Sequence, residues 1–307
     1  MAVLWKRKEG LAAYTTRQGR KRRWIIVSFL SAPTLFLIVF LGAPVLWALW
    51  FSLTNLALTG PHALHVNFVG LENFSRALTS SQFWNSIKES LFYLVGSGII
   101  GQVGLGLFLA MFLRRVPTIF KNILLALIVL SWVIPEIVTA FIWSAYLQNP
   151  SGLFNQTIHI FGVPPHPWLF QYPMTFLILA NIWRGTAFAT LILSAAIEAV
   201  PKELIEAAYL DGCNRWTLFS KVLVPLIRNS LVTTLVLITL WTLSDFTLIY
   251  VLTSGGPGFS TDVLTVFTYQ KSFSFYELGY GSALSVILLL ISSGLSLIYI
   301  NLVGHEY

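Results

Sequence analysis

The stretch Trp24–Leu53, WIIVSFLSAPTLFLIVFLGAPVLWALWFSL, runs for 30 residues without an Asp, Glu, Lys or Arg. A helix needs about 20 consecutive apolar residues to cross the hydrocarbon core of a bilayer. This one is long enough to cross with tilt, and Pro33 and Pro44 are positions at which it can kink. Its apolar run exceeds the roughly 7–15 residues of a cleavable leader, and no small-x-small site closes it. It reads as an uncleaved signal anchor.

Five further stretches share this character: Ser90–Leu113, closed by Arg114 and Arg115; Asn122–Leu147, interrupted by Pro135-Glu136; Pro173–Ile197, with Arg184 inside; Asn229–Leu252, with Asp245 inside; and Gly281–Leu302, free of charge. The expected fold is an all-α integral membrane protein with six transmembrane helices, in a domain over 24–304 behind a basic tail at 1–23. Composition agrees. The chain of 307 residues is 56% hydrophobic and only 10% charged, with mean hydropathy +0.76. Soluble domains carry about 25% charged residues, so a water-solvated surface of this size is excluded.

The net charge of +7 would suggest nucleic acid in a soluble protein. Here the cations sit at membrane edges, and no nucleic-acid partner is expected. Lys6, Arg7, Lys8, Arg17, Arg20, Lys21, Arg22 and Arg23 fill the tail. Arg114, Arg115 and Lys121 follow the second stretch, and Lys202, Arg215, Lys221 and Arg228 lie between the fourth and fifth. Only Arg76, Lys88 and Lys271 fall on the other side. The positive-inside rule then places both termini and the fourth-to-fifth connection in the cytoplasm, with external loops at 54–89, 148–172 and 253–280.

Several patterns mislead. Gly96-Ser-Gly-Ile-Ile-Gly101 matches a dinucleotide fingerprint, which needs a preceding strand. Inside an apolar span, small residues instead allow close helix approach. The single cysteine, Cys213, excludes an internal disulfide framework, and His62 with His65 lacks a nearby third metal ligand. Asn155-Gln-Thr157 fits a glycosylation acceptor without further support. The chain carries no P-loop sequence.

The fourth-to-fifth connection, Val200-PKELIEAAYLDGCNRWTLFSKVLV-Pro225, is polar enough to lie outside the bilayer. Pro201 suits a first helical position, and Glu203 and Glu206 suit the positive end of the helix dipole. Leu204, Ala207, Ala208 and Asp211 share one face at 3.6-residue spacing, and Gly212 is a stop. Asn214 can cap a second helix carrying Trp216, Phe219 and Val222. Two short helices meeting at a glycine suit docking into a partner's groove or lying on the membrane surface.

This segment resembles the E-A-A-x-x-x-G-x(9)-I-x-L-P signature of permeases of binding-protein-dependent ATP-binding-cassette importers. Glu206, Ala207, Ala208, Gly212 and Pro225 match; Val222 and Val224 replace Ile and Leu; Asp211 gives the common D-G form. Phe68-Val-Gly-Leu-Glu-Asn-Phe74, Ile182-Trp-Arg-Gly-Thr-Ala-Phe188, Phe246–Thr253 with Gly255-Gly-Pro257, and Gly279–Ala283 resemble other blocks of the carbohydrate-uptake group. The pattern is similar to the maltose and glycerol-phosphate type, nearest to the first of its two permease subunits. Pro135-Glu136 matches no feature of that pattern.

The resemblance implies a cytoplasmic coupling helix within 201–220, with Glu206, Ala207, Ala208, Asp211 and Gly212 engaging an ATPase. It implies two ATPase subunits holding ATP and Mg, a second and different permease chain, an extracellular or periplasmic solute-binding protein, and a sugar or related solute. This chain would be a pore subunit in the cell membrane, with no cofactor and no bond chemistry of its own.

Charges inside a span cost about 2.5–3.5 kcal/mol at the helix centre and tend to face a bundle interior or a wet cavity. Arg184 can pair with Asp245 or Glu136. Glu136, Arg184, Asp245 and Tyr250 are the candidate solute path, against the plainer reading of an internal ion pair holding helices together. Trp143 and Trp183 suit sugar stacking or interfacial anchoring, and Gly255-Gly256-Pro257 an external gate or a plain turn. The same charges fit a secondary transporter, though no inverted repeat is visible. A membrane enzyme on lipid-linked sugars would need clustered acids at a membrane edge, and those available all lie in the signature.

Overall fold

Most of the described residues are helical. The computed structural model describes residues 25–31 and 33–304, with side chains to 301. Among these the only extended pairing is a single bridge between Thr54 and Phe68. The basic tail at 1–23 lies outside the described residues. Residues up to Phe51 and from Ser52 onward form two compact units. The described part of the first is helix α1 (Ile25–Ser52) up to Phe51, and the most apolar window of that helix is entirely unburied.

The second unit begins with two short helices, α2 (Pro61–Leu64) and α3 (Glu72–Thr79). The buried Asn73 ties this loop back by donating to the carbonyls of Ser52 and Thr54 at 2.9 and 2.8 Å. Helix α4 runs over Ser81–Leu113, nine residues earlier than hydropathy places the second span. Ser80 caps it, accepting from the Phe83 amide at 3.4 Å, and the polar first turns continue into the apolar run.

The third stretch is two helices, α5 (Thr118–Val133) and α6 (Glu136–Tyr146), bent by 97°. Ile134 is extended (ψ 128°) because the following Pro135 disfavours helical geometry there. The bend is sharp enough that this pair is either a broken span or a re-entrant loop. Small helices α7 (Leu153–His159) and α8 (Trp168–Gln171) follow. Asn155 is buried between them; its Oδ1 accepts from the His166 amide at 3.0 Å and from Trp168 Nε1 at 2.7 Å. That burial removes it as a glycosylation acceptor.

Helix α9, Pro173–Glu198, is the central strut. After it come α10 (Lys202–Leu210) and α11 (Arg215–Leu226), then α12 (Arg228–Leu243), bent 73° from α11. The expected fifth span is not one helix. It stops at Leu243, turns through Ser244-Asp245-Phe246 and resumes as α13, Thr247–Thr253. The carbonyl of Asp245, freed by the break, accepts from Thr265 Oγ1 at 2.8 Å. Helix α14 (264–274) and helix α15 (Leu278–Gly304) complete the chain. Four described helices are long and apolar enough to cross a membrane, or six if each bent pair is one span.

Helix α4 packs against α9 and α12 through its small residues. A methyl group on Gly98 would meet Thr242 Oγ1 at 3.2 Å and Ile238 Cγ2 at 3.3 Å; one on Gly101 would collide with Ile182, and one on Gly106 with Ala189. The Gly96–Gly101 pattern is therefore a helix-packing surface.

Candidate functional site

Asn181, Arg184, Gly185 and Phe188 recur along α9 at the spacing that stacks side chains on one helix face. All four line a cavity of about 380 Å³, with Gln102 from α4, Trp132 from α5, Glu136 from α6, and Trp241, Thr242, Ser244 and Asp245 around the end of α12. Gly185 is needed because a methyl there would collide with the Gln102 amide. Asn181 is oriented by donating to Ser97 Oγ on α4 at 2.8 Å.

The cavity holds three ionisable groups. Arg184 Nη1 donates to Glu136 Oε1 at 3.1 Å, with about a quarter of each side chain exposed. Asp245, 6% exposed, accepts from Tyr93 Oη at 2.7 Å. Among the described residues Arg184 Nε and Asp245 Oδ1 have no hydrogen-bonding partner, and the Glu136 carboxyl lies beside Asp245. An unsatisfied buried polar atom costs about 1–3 kcal/mol, so the site is stocked with one free donor and one free acceptor. Trp132, Phe188 and Trp241 form an aromatic wall, with ring centroids 5.8 Å (Trp132–Phe188) and 4.6 Å (Phe188–Trp241) apart.

Three of the four residues expected on a solute path thus meet at one cavity. Tyr250 does not. It packs against Phe246 at 4.9 Å and Tyr269 at 5.0 Å, because the break at Asp245 turns α13 away. Trp143 and Trp183 are 6.4 Å apart, edge to face, outside the cavity lining. Tyr93 and Gln102 were not singled out in the sequence, where they sit in an apolar run with no charge to flag them.

The second region is α10–α11. Gly212 has φ +81°, and the Cys213 amide donates to the Ala208 carbonyl at 3.0 Å while the Gly212 amide donates to Tyr209, a Schellman closure. Asn214 Oδ1 accepts from the Thr217 amide at 2.8 Å and caps α11. The expected docking face of Leu204, Ala207, Ala208 and Asp211 is split between burial and exposure. Ile205 and Ala208 are buried, in one cluster with Ala189, Leu193 and Ile197 of α9 and Ala110 of α4. Leu204, Glu206, Ala207, Asp211 and Gly212 are exposed. Ala208 therefore holds the helix to its own chain instead of facing outward.

In the loop after α13, Gly255 has φ +87° and Thr261 Oγ1 donates to the Gly256 carbonyl at 2.9 Å. Beside them Asp262 is fully buried, accepting from Gln82 Nε2 at 3.1 Å. Burial raises its carboxyl to about 6, against the opposing pull of the Gln82 hydrogen bond and Lys271. Among the described residues no group of three His, Cys, Asp or Glu side chains is placed to hold a metal. His62 instead pairs with Asn55 at 3.0 Å.

Residues 102–304 match the model of the binding-protein-dependent transport system inner membrane component family. The chain belongs to this family. The permease is 32% identical over 269 residues to the trehalose/maltose transport system permease protein MalF of Thermococcus litoralis, covering 86% of this chain and 88% of that one. It is 31% identical to the inner membrane ABC transporter permease protein YcjO of Escherichia coli, covering 90% and 94%. It is 27% identical to the sulfoquinovosyl glycerol transport system permease protein SmoG of Agrobacterium fabrum, covering 92% and 91%. Its fold is similar to a crystal structure of a bacterial ABC transporter involved in import of the acidic polysaccharide alginate, with TM-score 0.76 at 18% identity over 92% of this chain and 96% of that one. The permease is a membrane transport subunit of an importer and not an enzyme, in line with the resemblance read from Glu206 to Pro225.

Proposed function

We propose that the permease forms half of the pore of an ATP-binding-cassette importer for a sugar or related solute. A second, different permease chain forms the other half. Two ATPase subunits, holding ATP and Mg, engage the exposed side of α10 through Glu206, Ala207, Asp211 and Gly212, and an external binding protein delivers the solute. Both termini and α10 then lie on the cytoplasmic side, as the distribution of Lys and Arg predicts, and six spans are counted with each bent pair as one. Large apolar side chains left exposed on α5 and α6, such as Phe120, Leu127 and Phe141, suit lipid or the second chain.

The observation that carries this reading is the attachment of α10. Its buried residues Ile205 and Ala208 belong to the same packed cluster as α9 and α4, so a pull on α10 is transmitted to the helices that line the cavity. Interiors packed this closely move as units.

The cavity is the proposed solute path. A sugar hydroxyl both donates and accepts, which matches Asp245 Oδ1 and Arg184 Nε, and the aromatic wall suits the apolar face of a sugar ring. The names of the MalF and SmoG relatives, a disaccharide and a sugar glycerol compound, support this class of cargo. Coexpression of the permease with ATPase, partner permease and binding protein tests the coupling. Glu206→Ala is expected to leave the complex assembled and hydrolysing ATP while uptake of labelled maltose or trehalose falls at least tenfold. Wild-type uptake in that variant would remove α10 from the coupling path.

A further inference from the structure

A second cavity, of about 220 Å³, lies between the end of α4 and the α10–α11 segment. Arg114, Arg115 and Arg215 line it with Tyr209, over a floor that includes the buried Ile197, Ile205 and Leu218. No carboxylate lines it, and the ion pairs among the described residues involve none of the three arginines. Arg114 and Arg115 follow the C-terminus of α4, where the helix dipole favours cations. Arg215 does not have that explanation. It is the first residue of α11, the end where the dipole disfavours a positive charge. Three exposed arginines from two segments therefore line one pocket that no carboxylate lines.

We infer that this pocket binds a phosphate group at the membrane surface. Planar guanidinium forks suit phosphate oxygens, and Tyr209 adds a hydroxyl donor. Placement at the mouth of two spanning helices, on the side that also carries Lys202 and Lys221, fits the headgroup of an anionic phospholipid, as basic pockets between spanning helices do elsewhere. A soluble phosphate offers the same chemistry. Because Tyr209 and Arg215 flank Gly212, an occupied pocket would brace α10 against α4 and adjust coupling. That last consequence rests on the proposed importer reading; the binding itself does not.

The test uses the assembled complex in phosphatidylcholine nanodiscs containing phosphatidylglycerol, with retained lipid counted by native mass spectrometry. Removing one arginine near an anionic surface is expected to reduce retention about fivefold, the factor that about 1 kcal/mol per charge represents. Arg115→Gln/Arg215→Gln should therefore lose at least tenfold, while Arg76→Gln, on the opposite side of the membrane and outside the cavity, should match wild type. Retention of phosphatidylglycerol that excess inorganic phosphate does not displace assigns a lipid headgroup. Displacement by inorganic phosphate assigns a soluble source and still supports the site. Equal retention by wild type and the double variant overturns the proposal, as does cross-linking that places an ATPase carboxylate in the pocket. ATP-driven uptake measured on the same samples separates this outcome from failure of the importer reading.

Discussion

Arg184 on α9 reaches across to Glu136, the first residue after the Pro135 break, and donates a hydrogen bond of 3.1 Å within the larger cavity. The pair joins two helices that close one wall of the larger cavity. Neutralising Glu136 alone strands a guanidinium in low dielectric. Glu136→Gln is expected to lower stability by about 2 kcal/mol, less than a fully buried pair because a quarter of each side chain is exposed. The thermal midpoint of the purified complex reads this. The double variant Glu136→Gln/Arg184→Gln should regain most of the midpoint yet remain defective in uptake. Recovery of both would assign the pair a purely structural role.

Tyr93 donates a hydrogen bond of 2.7 Å to Asp245 Oδ2. Tyr93→Phe leaves that oxygen without this donor, at a cost of about 1–3 kcal/mol. The expected outcome is a lower thermal midpoint together with an altered KM for solute uptake, since Asp245 loses its orientation. An unchanged KM would separate Asp245 from the solute path.

Close approach of α4 and α9 depends on Gly106, where an added methyl would collide with Ala189. Gly106→Leu should destabilise the complex by about 1–3 kcal/mol through overpacking. Gly294→Leu on α15, where nothing lies within 4 Å of the added carbon, should leave the midpoint unchanged. Comparable losses in both variants would show that the contact with Ala189 is not the cause, since Gly→Leu by itself favours a helix.

Asp262 supplies a pH dependence. Its carboxyl is raised from 3.8 to about 6 in the folded chain, so folding favours the protonated form. Below about pH 4 it is protonated in both states and costs nothing; between pH 4 and 6 the penalty grows; above 6 it is complete, at about 3 kcal/mol. Asp262→Asn is therefore expected to raise the thermal midpoint at pH 7.5 and to change it little at pH 4. A gain at both pH values would show that the charge is not the cause.

Much of this was legible in the chain because hydropathy and charge are strong signals. The Lys and Arg clusters bound the apolar runs, and Pro135 and Gly212 mark the breaks they cause. The failures have physical reasons. Ser81 to Glu89 is polar by composition but helical by capping and continuity, so the start of α4 moves outward. Asp245 stood out as a charge within a span, but the partner that satisfies its carbonyl at the break, Thr265, is twenty residues away, where no local pattern announces it. That break removes Tyr250 from the cavity. Tyr93 and Gln102 reach the site only through the packing of α4 on α9 and α12. On α10, 3.6-residue spacing permits two adjacent faces, and burial selected Ile205 with Ala208 over Leu204 with Ala207.

The central claim is that solute movement through this permease is driven by ATP hydrolysis on partner chains. The most direct measurement is uptake of a labelled sugar retained by the binding protein, in proteoliposomes containing the permease, with and without its ATPase subunits, partner permease and binding protein, under either ATP or an imposed proton or sodium gradient. The account predicts uptake only with the full set of partners and ATP, and none from a gradient. Gradient-driven uptake by the permease without an ATPase would contradict it and would make Glu136, Arg184 and Asp245 the ion-coupling groups of a secondary transporter.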